Sequence, residues 1–457
     1  MYPIKINEGF IYVTNFSLKF RTFIQSTAEK AESMLPSRKL DGIGVFFFGS
    51  SSRQEMIDES DVDIMIIREK NSSDYILFRS EFIKLLEKEN FAKIDVPEWG
   101  TFRDCQAYII HSVTEGNQVV EAKFVYGDIS VSDYIERLRE RYCTQNRFEK
   151  VLCFQKLYFD QYYKQRTAQG ARNVKYGHGG TRDFMFVTWF INILDAVDKR
   201  RTNIEDSFPM IYKSLSSLYE RKLINFENYK KYIDGANVIL ILRNEILIQN
   251  RRTEEEGLTY LDERTLKILF KRKIFKDDSI NDEFSLKTYL EFHLNNIAEL
   301  KQLIWDLFIG HLSRSRGVEW LRKFQDFLNG KVSLEDTVPI DDNNELLQMS
   351  LIWNISQKKH APSFRKVFDK YKRSQSWAVL ASLCCHPECP QDVLDFIANG
   401  KGYKKGYEYL IRIVSRNKNV SNETLKKIIN NPKLEHRYKI VAKTAYEKGI
   451  EKANELR

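Results

Sequence analysis

The sequence predicts an α+β protein: a small mixed sheet with helices, followed by a helical bundle and a C-terminal α-helical repeat domain. Three observations carry this reading. Short apolar runs rich in β-formers are confined to the first 130 residues, nearly every later segment is spaced at helical intervals, and a pattern of polar turn plus helix recurs near the end.

Residues 15–35 place Leu18, Phe20, Phe23 and Ile24 at helical spacing ahead of Pro36. Ile43 to Phe48 is an apolar run too short for a helix and closes on Gly49-Ser50. Val62 to Ile67 alternates carboxylate and apolar residues before turning fully apolar, so both segments read as strands. Helical spacing returns at 75–89, and strand-like runs follow at 105–110 and 119–125. Beyond Ser130 the segments 132–142, 146–166, 182–198, 207–220, 225–249 and 286–311 read as helices. Phe327 to Glu345, rich in turn-forming and acidic residues, reads as a linker. The expected domains are therefore 1–130, 131–326 and 346–457.

In the last of these, HPECPQDVLDFI from His386 aligns with NKNVSNETLKKI from Asn417, pairing Leu394 with Leu425 and Ile397 with Ile428. A third copy near Lys358 fits only with a shift. The pattern resembles a variant leucine-rich or HEAT-like helical repeat, with a plain helical bundle as the competing arrangement.

Hydrophobic residues make up 42% of the 457 and charged residues 30%, a globular composition with room for several cores. No apolar run is long enough to span a bilayer, and the N-terminus lacks a basic segment followed by an apolar stretch, so a cytoplasmic protein with no membrane partner is expected. Six cysteines without a paired framework suit free thiols in a reducing compartment. The formal net charge is +9, and from residue 311 onward 27 Lys/Arg face 17 Asp/Glu. A basic surplus there suits an acidic partner, nucleic acid or protein, and equally a plain solvated surface.

The segment FFFGSSSRQEMIDESDVDIMII carries the chemistry. Gly49 and Ser50 end a strand and open a turn, where a close backbone approach and an added hydroxyl can hold a triphosphate. Asp61 and Asp63, two apart on a strand, share one face. Two such carboxylates repel by about 4 kcal/mol at an effective dielectric near about 20, which a divalent cation offsets. Hard oxygen ligands select Mg²⁺ or Mn²⁺. A third acid is required, with Asp95, Glu98, Asp104 and Glu121 as candidates.

This strand, Gly-Ser turn and D-x-D strand resemble the polymerase-β superfamily of nucleotidyltransferases. Arg53, Glu55, Ser60 and Val62 match the version found in bacterial PII uridylyltransferases, with Ser51 and Ser52 replacing further small residues of its turn. The resemblance implies a polymerase-β-like fold, adds Arg53 to the nucleotide-binding set, and assigns Asp104 as the third metal ligand. Asp104 is taken from RDCQAYIIHSV, where an Asp precedes His111-Ser112.

A second block, RNVKYGHGGTRDFMFVTWFINIL from Arg172, offers a glycine turn with Lys175 and Arg182 for phosphate or base contacts, and equally suits a loop capping the next helix. Asn173, Lys175, Gly177, Gly179, Gly180, Arg182 and Asp183 follow the uridylyltransferase pattern. The resemblance thus implies nucleotide binding by Lys175, Gly179, Gly180 and Arg182, and it covers about residues 15–310. The sequence contains no His-Asp pair of the kind that marks the family's hydrolase domain, so nucleotide removal and glutamine sensing are not expected.

The function expected from these residues is transfer of an NMP from UTP or ATP to a hydroxyl of a protein acceptor. Nucleotide addition to RNA or tRNA, in a toxin or defence role, and a non-catalytic scaffold are the alternatives. CCHPEC, with Cys384, Cys385, His386 and Cys389, lacks a second ligand pair at zinc-finger spacing and reads as buried thiols. GYKKGYEYL, from Gly402, interleaves Lys with Tyr as nucleic-acid surfaces do, and suits a half-buried helix equally.

Overall fold

Alternation along two central strands sets the architecture of the N-terminal region. In the computed structural model β1 (Ile43–Phe47) pairs antiparallel with β2 (Val62–Arg68) and with β4 (Lys123–Gly127), and the two-residue β3 (Ile94–Asp95) pairs parallel with β2. The sheet order is β3-β2-β1-β4. Ile43, Val45 and Phe47 of β1 and Val62, Ile64 and Ile66 of β2 enter one core with α1 (Glu8–Ser33) and α3 (Ser73–Leu86). Phe20 of α1 stacks on Phe47 at 5.5 Å, and Phe78 and Phe82 of α3 are fully buried. Each such ring contributes roughly 1.5–3 kcal/mol of apolar burial. The intervening residues, Asp63 among them, face the opposite side of the sheet.

The structure describes residues 8–56, 60, 62–89, 94–97, 100–111, 113–142, 149–150, 152–154, 156–157, 172–175, 177–197, 210–253, 260–329, 331, 344–354, 365–400, 407–434 and 436–450. They form two compact units. The first comprises Met1–Cys105, Asn117–Thr144 and Asp160–Phe308, and the second Gln106–Gly116, Gln145–Phe159 and Ile309–Arg457.

Two strand expectations are corrected. Residues 105–110 lie in α4 (Phe102–His111), and 119–121 end α5 (Val113–Glu121), so the strand begins only at Lys123. The reason is local: Thr101 Oγ1 accepts the Asp104 N–H at 3.1 Å while Asp104 accepts the Thr101 N–H at 3.0 Å, a capping box that starts a helix. Cys105 and Ile109, four apart, then share its buried side.

The first unit continues through α6 (Ile129–Tyr142), α7 (Thr181–Val197), α8 (Met210–Glu220), α9 (Phe226–Thr253), α10 (Glu263–Lys271) and most of α11 (Glu283–Arg316). A two-strand ladder, β5 (Arg172–Asn173) with β6 (Tyr260–Leu261), pins the segment before α7. Of the expected helix 146–166, residues 158–166 lie outside the described residues.

The second unit is helical. Buried Glu149 accepts from Arg316 Nη2 at 2.6 Å, and α12 (Val318–Leu328) runs into the expected linker, of which 332–343 lie outside the described residues. After α13 (Glu345–Asn354) come two helix–turn–helix pairs, α14 (Trp377–Cys385) with α15 (Gln391–Ala398) and α16 (Tyr407–Val414) with α17 (Asn422–Asn430), closed by α18 (His436–Lys448). Leu394, Ile397, Leu425 and Ile428 are all buried. Asn417 donates to the Cys384 and His386 carbonyls at 2.7 and 2.9 Å, and Asn419 to those of Pro387 and Cys389, so the second turn ties off the first. Cys384 and Cys389 are buried with thiols lifted well above their usual range by burial, and no group of three potential metal ligands occurs among the described residues. Residues 401–406 of the Lys/Tyr segment lie outside the described residues.

Candidate active site

The Gly-Ser turn and Asp63 form one interlocked piece. Phe48 ends the strand, α2 (Gly49–Arg53) follows at once, and Ser50 directs its N–H and Oγ to Asp63 Oδ2 at 3.3 and 3.4 Å. Ser51 Oγ accepts the Asp63 N–H at 3.3 Å, and Ser52 Oγ donates to the Gly49 carbonyl at 3.0 Å. The serines that depart from the glycine-rich pattern thus stitch the turn to the carboxylate strand. Gly49 has φ +57°, and a Cβ there would lie 2.3 Å from Asp63 Oδ2, so only glycine lets the carboxylate approach the turn. Asp63 is 2% exposed, so its carboxylate is held against the Ser50 N–H and hydroxyl away from bulk water. Asp61 lies outside the described residues.

Arg53 is paired with two carboxylates. Its Nε donates to Glu55 at 3.0 Å and its Nη1 to Glu121 at 2.8 Å, and all three side chains are buried. Burial works against the Arg53 charge, but Glu55 and Glu121 more than offset this and hold the guanidinium above its usual range. Burial lifts the Glu121 carboxyl, opposed by Arg53 and by the indole N–H of Trp189, which donates to Glu121. Glu121 ends α5 and Trp189 lies in α7, so the network ties the helical region to the end of the Gly-Ser helix.

Asp104, the third acid that the resemblance implies, is held near the far end of β2. Thr101 bridges to Arg68, five residues along β2 from Asp63, which is roughly 16 Å of strand. Asp104 turns its carboxylate back to the Gly100 and Thr101 N–H groups at 3.1 and 3.0 Å, at that far end. The residue paired in register with Asp63 is Asp95 on β3. Sequence reasoning held Asp95 among four candidates, but a two-residue strand has no periodicity to single it out.

The glycine turn before α7 uses its own donors internally. The N–H groups of Gly177, Gly179, Gly180, Thr181 and Arg182 go to Asn173 O, Asp183 Oδ2, Gly177 O, Val174 O and Lys175 O, all within 3.1 Å. These bonds give Gly179 and Gly180 a packing role in the turn. Gly179 has φ +75°, and a Cβ there would stand 1.7 Å from the Leu294 carbonyl of α11. Asp183, fully buried, holds the turn and meets Lys301 of α11 at 3.0 Å. What the turn presents is side chains: Lys175 and Arg182 remain partly exposed.

Arg243 of α9, in the segment LRNEILIQNRR that looks like the family's helix ahead of an Arg-Arg loop, connects the two motifs. Its Nη1 donates to the Glu55 carbonyl at 3.1 Å, and it interacts electrostatically with Glu55, Arg53, Arg182 and Asp63. Burial is the main cause that lowers its pKa, and the two neighbouring arginines add to that.

A strand, a Gly-Ser turn and a buried acid on the next strand define a nucleotidyltransferase-type site, and residues 28–119 match the family model of the nucleotidyltransferase domain. Residues 159–304 match that of the GlnD PII-uridylyltransferase. The chain therefore resembles the catalytic region of the PII uridylyltransferases, with its two motif blocks falling one in each match. No curated relative matches the chain.

Proposed function

We propose that this protein transfers an NMP from UTP or ATP to a hydroxyl of a protein acceptor in the cytoplasm. The acceptor oxygen forms a bond to the α-phosphorus as the bond to the β-phosphate bridging oxygen breaks, and pyrophosphate leaves. The observation that carries this reading is the buried Asp63 carboxylate locked against Gly49 and Ser50, with Asp95 in register beside it.

The donor set fits a hard divalent cation, since it consists of carboxylate oxygens and hydroxyls. Asp61 and Asp63, with Asp104 or its fellow candidate Asp95 as the third acid, would hold Mg²⁺ or Mn²⁺, which supplies charge neutralisation and a clamp on the phosphates when bound. Ser50 positions Asp63, the Arg53–Glu55–Glu121 network holds the turn, and Lys175 and Arg182 supply positive charge. The basic C-terminal third, with 27 Lys/Arg against 17 Asp/Glu from residue 311, recruits the acceptor.

The test uses each of the four labelled NTPs with cell lysate, followed by protease or nuclease. Protease-sensitive label from UTP or ATP is expected, and Asp63→Asn should reduce it by about two to three orders of magnitude, the scale of losing one electrostatic contact to developing charge. Nuclease-sensitive label would move the acceptor to RNA. Unchanged labelling by Asp63→Asn would refute the site.

A further inference from the structure

Three arginines lie around the carboxylates of the site, and their partners differ. Arg53 is committed to Glu55 and Glu121. Arg182 stands at the start of α7, on the glycine turn. Arg243 projects from α9 into the same region, partly buried. Among the described residues it forms one hydrogen bond, to the Glu55 backbone carbonyl, and no ion pair. A guanidinium has five donors in a planar fork, so a single neutral acceptor leaves most of its capacity unused. Cations withdrawn from water without a carboxylate are costly unless an anion arrives.

The position gives that anion an identity. Glu55 donates its own N–H to the Ser50 carbonyl at 3.0 Å, and Ser50 contacts Asp63, so the Arg243 fork is anchored three links from the metal-binding acid. Arg182 lies close enough to disfavour the charge of Arg243, and a polyanion between the two relieves that repulsion. In the proposed reaction charge builds on the leaving pyrophosphate, and paired arginines are a common clamp for it.

We infer that Arg243 is a substrate-contacting residue that grips the β- and γ-phosphates of the nucleotide, with its Glu55 bond serving to aim the fork. This rests on the proposed nucleotidyl transfer, and the two are separable by experiment. A purely structural Arg243 would only pin the end of α2, and its loss would affect every nucleotide alike.

The test is calorimetric titration of the full chain, Arg243→Gln and Arg243→Lys with Mg²⁺ and the series UMP, UDP, UTP and AMP, ADP, ATP. Gln keeps a donor for the Glu55 carbonyl and removes the charge; Lys keeps the charge and removes the fork. Triphosphate affinity is expected to fall by about ten- to hundredfold in Arg243→Gln, with a smaller fall in Arg243→Lys and little change for the monophosphates. Equal changes across a series, or none, in variants that melt like the wild type would overturn the inference alone. Should Arg243→Gln be unfolded, Arg243→Lys decides the matter, and triphosphate affinity unchanged relative to monophosphate in that variant overturns the inference. Failure of the wild type to bind any triphosphate would overturn the proposed function and the inference with it.

Discussion

At the scale of single residues the site is a set of close approaches that tolerate no extra atom. Gly49 shows this best, since its left-handed backbone and its contact with Asp63 are both incompatible with a side chain. Gly49→Ala is expected to cost about 1–2 kcal/mol from backbone strain alone and to push Asp63 off position. Chemical denaturation should then show a folded protein, while labelled-NTP turnover falls at least tenfold. Retained turnover would mean that Asp63 does not need the turn. Gly49, Ser50 and Asp63 were legible in the sequence because their relation is local, within 14 residues. Glu121 and Asp95 were visible only as two of four candidate acids and Arg243 only as part of a matching block, because the partner of each lies from 32 to 188 residues away in the chain.

At the scale of elements, helical periodicity located the long helices within a few residues, and apolar alternation located the two central strands. Residues 105–110 were misread because a short apolar run has no distinguishing period, and the signal that decides it is the Thr101/Asp104 capping box. Asp128 joins two elements in a similar way, accepting the Gly42 N–H ahead of β1 at 2.7 Å and the Ser130 N–H at the start of α6 at 2.9 Å. These bonds hold its carboxyl below the ordinary aspartate value of 3.8. A depressed folded-state value means that the contribution is present above that pH and fades as pH falls below it. Asp128→Asn is expected to lose about 1 kcal/mol at neutral pH, as helix caps do, and to flatten the acid limb of the stability curve. Parallel acid limbs for variant and wild type would show that the bonds carry no stability.

At the scale of the whole molecule, the first unit carries the candidate site and the basic surplus lies in the final third of the sequence. Charge-driven recruitment weakens with salt because exposed charges are screened beyond a Debye length of about 10 Å at 0.1 M. Raising salt from about 50 to about 200 mM is therefore expected to reduce labelling of the acceptor severalfold, and more than it raises the KM for NTP. Equal effects on both would assign the surplus to solubility alone.

The indole of Trp189 has a bearing on how far the protein can be divided. Cut after the last strand of the four-stranded sheet, a fragment would retain the arginine and both glutamates of the buried trio yet lack the indole donor. Glu121 would then open to water where the indole covers it, and the Gly-Ser turn would have lost part of its brace. A fragment of the sheet alone is thus expected to hold its Gly-Ser turn less firmly, because that turn is braced through a helix residue encoded 68 positions beyond Glu121.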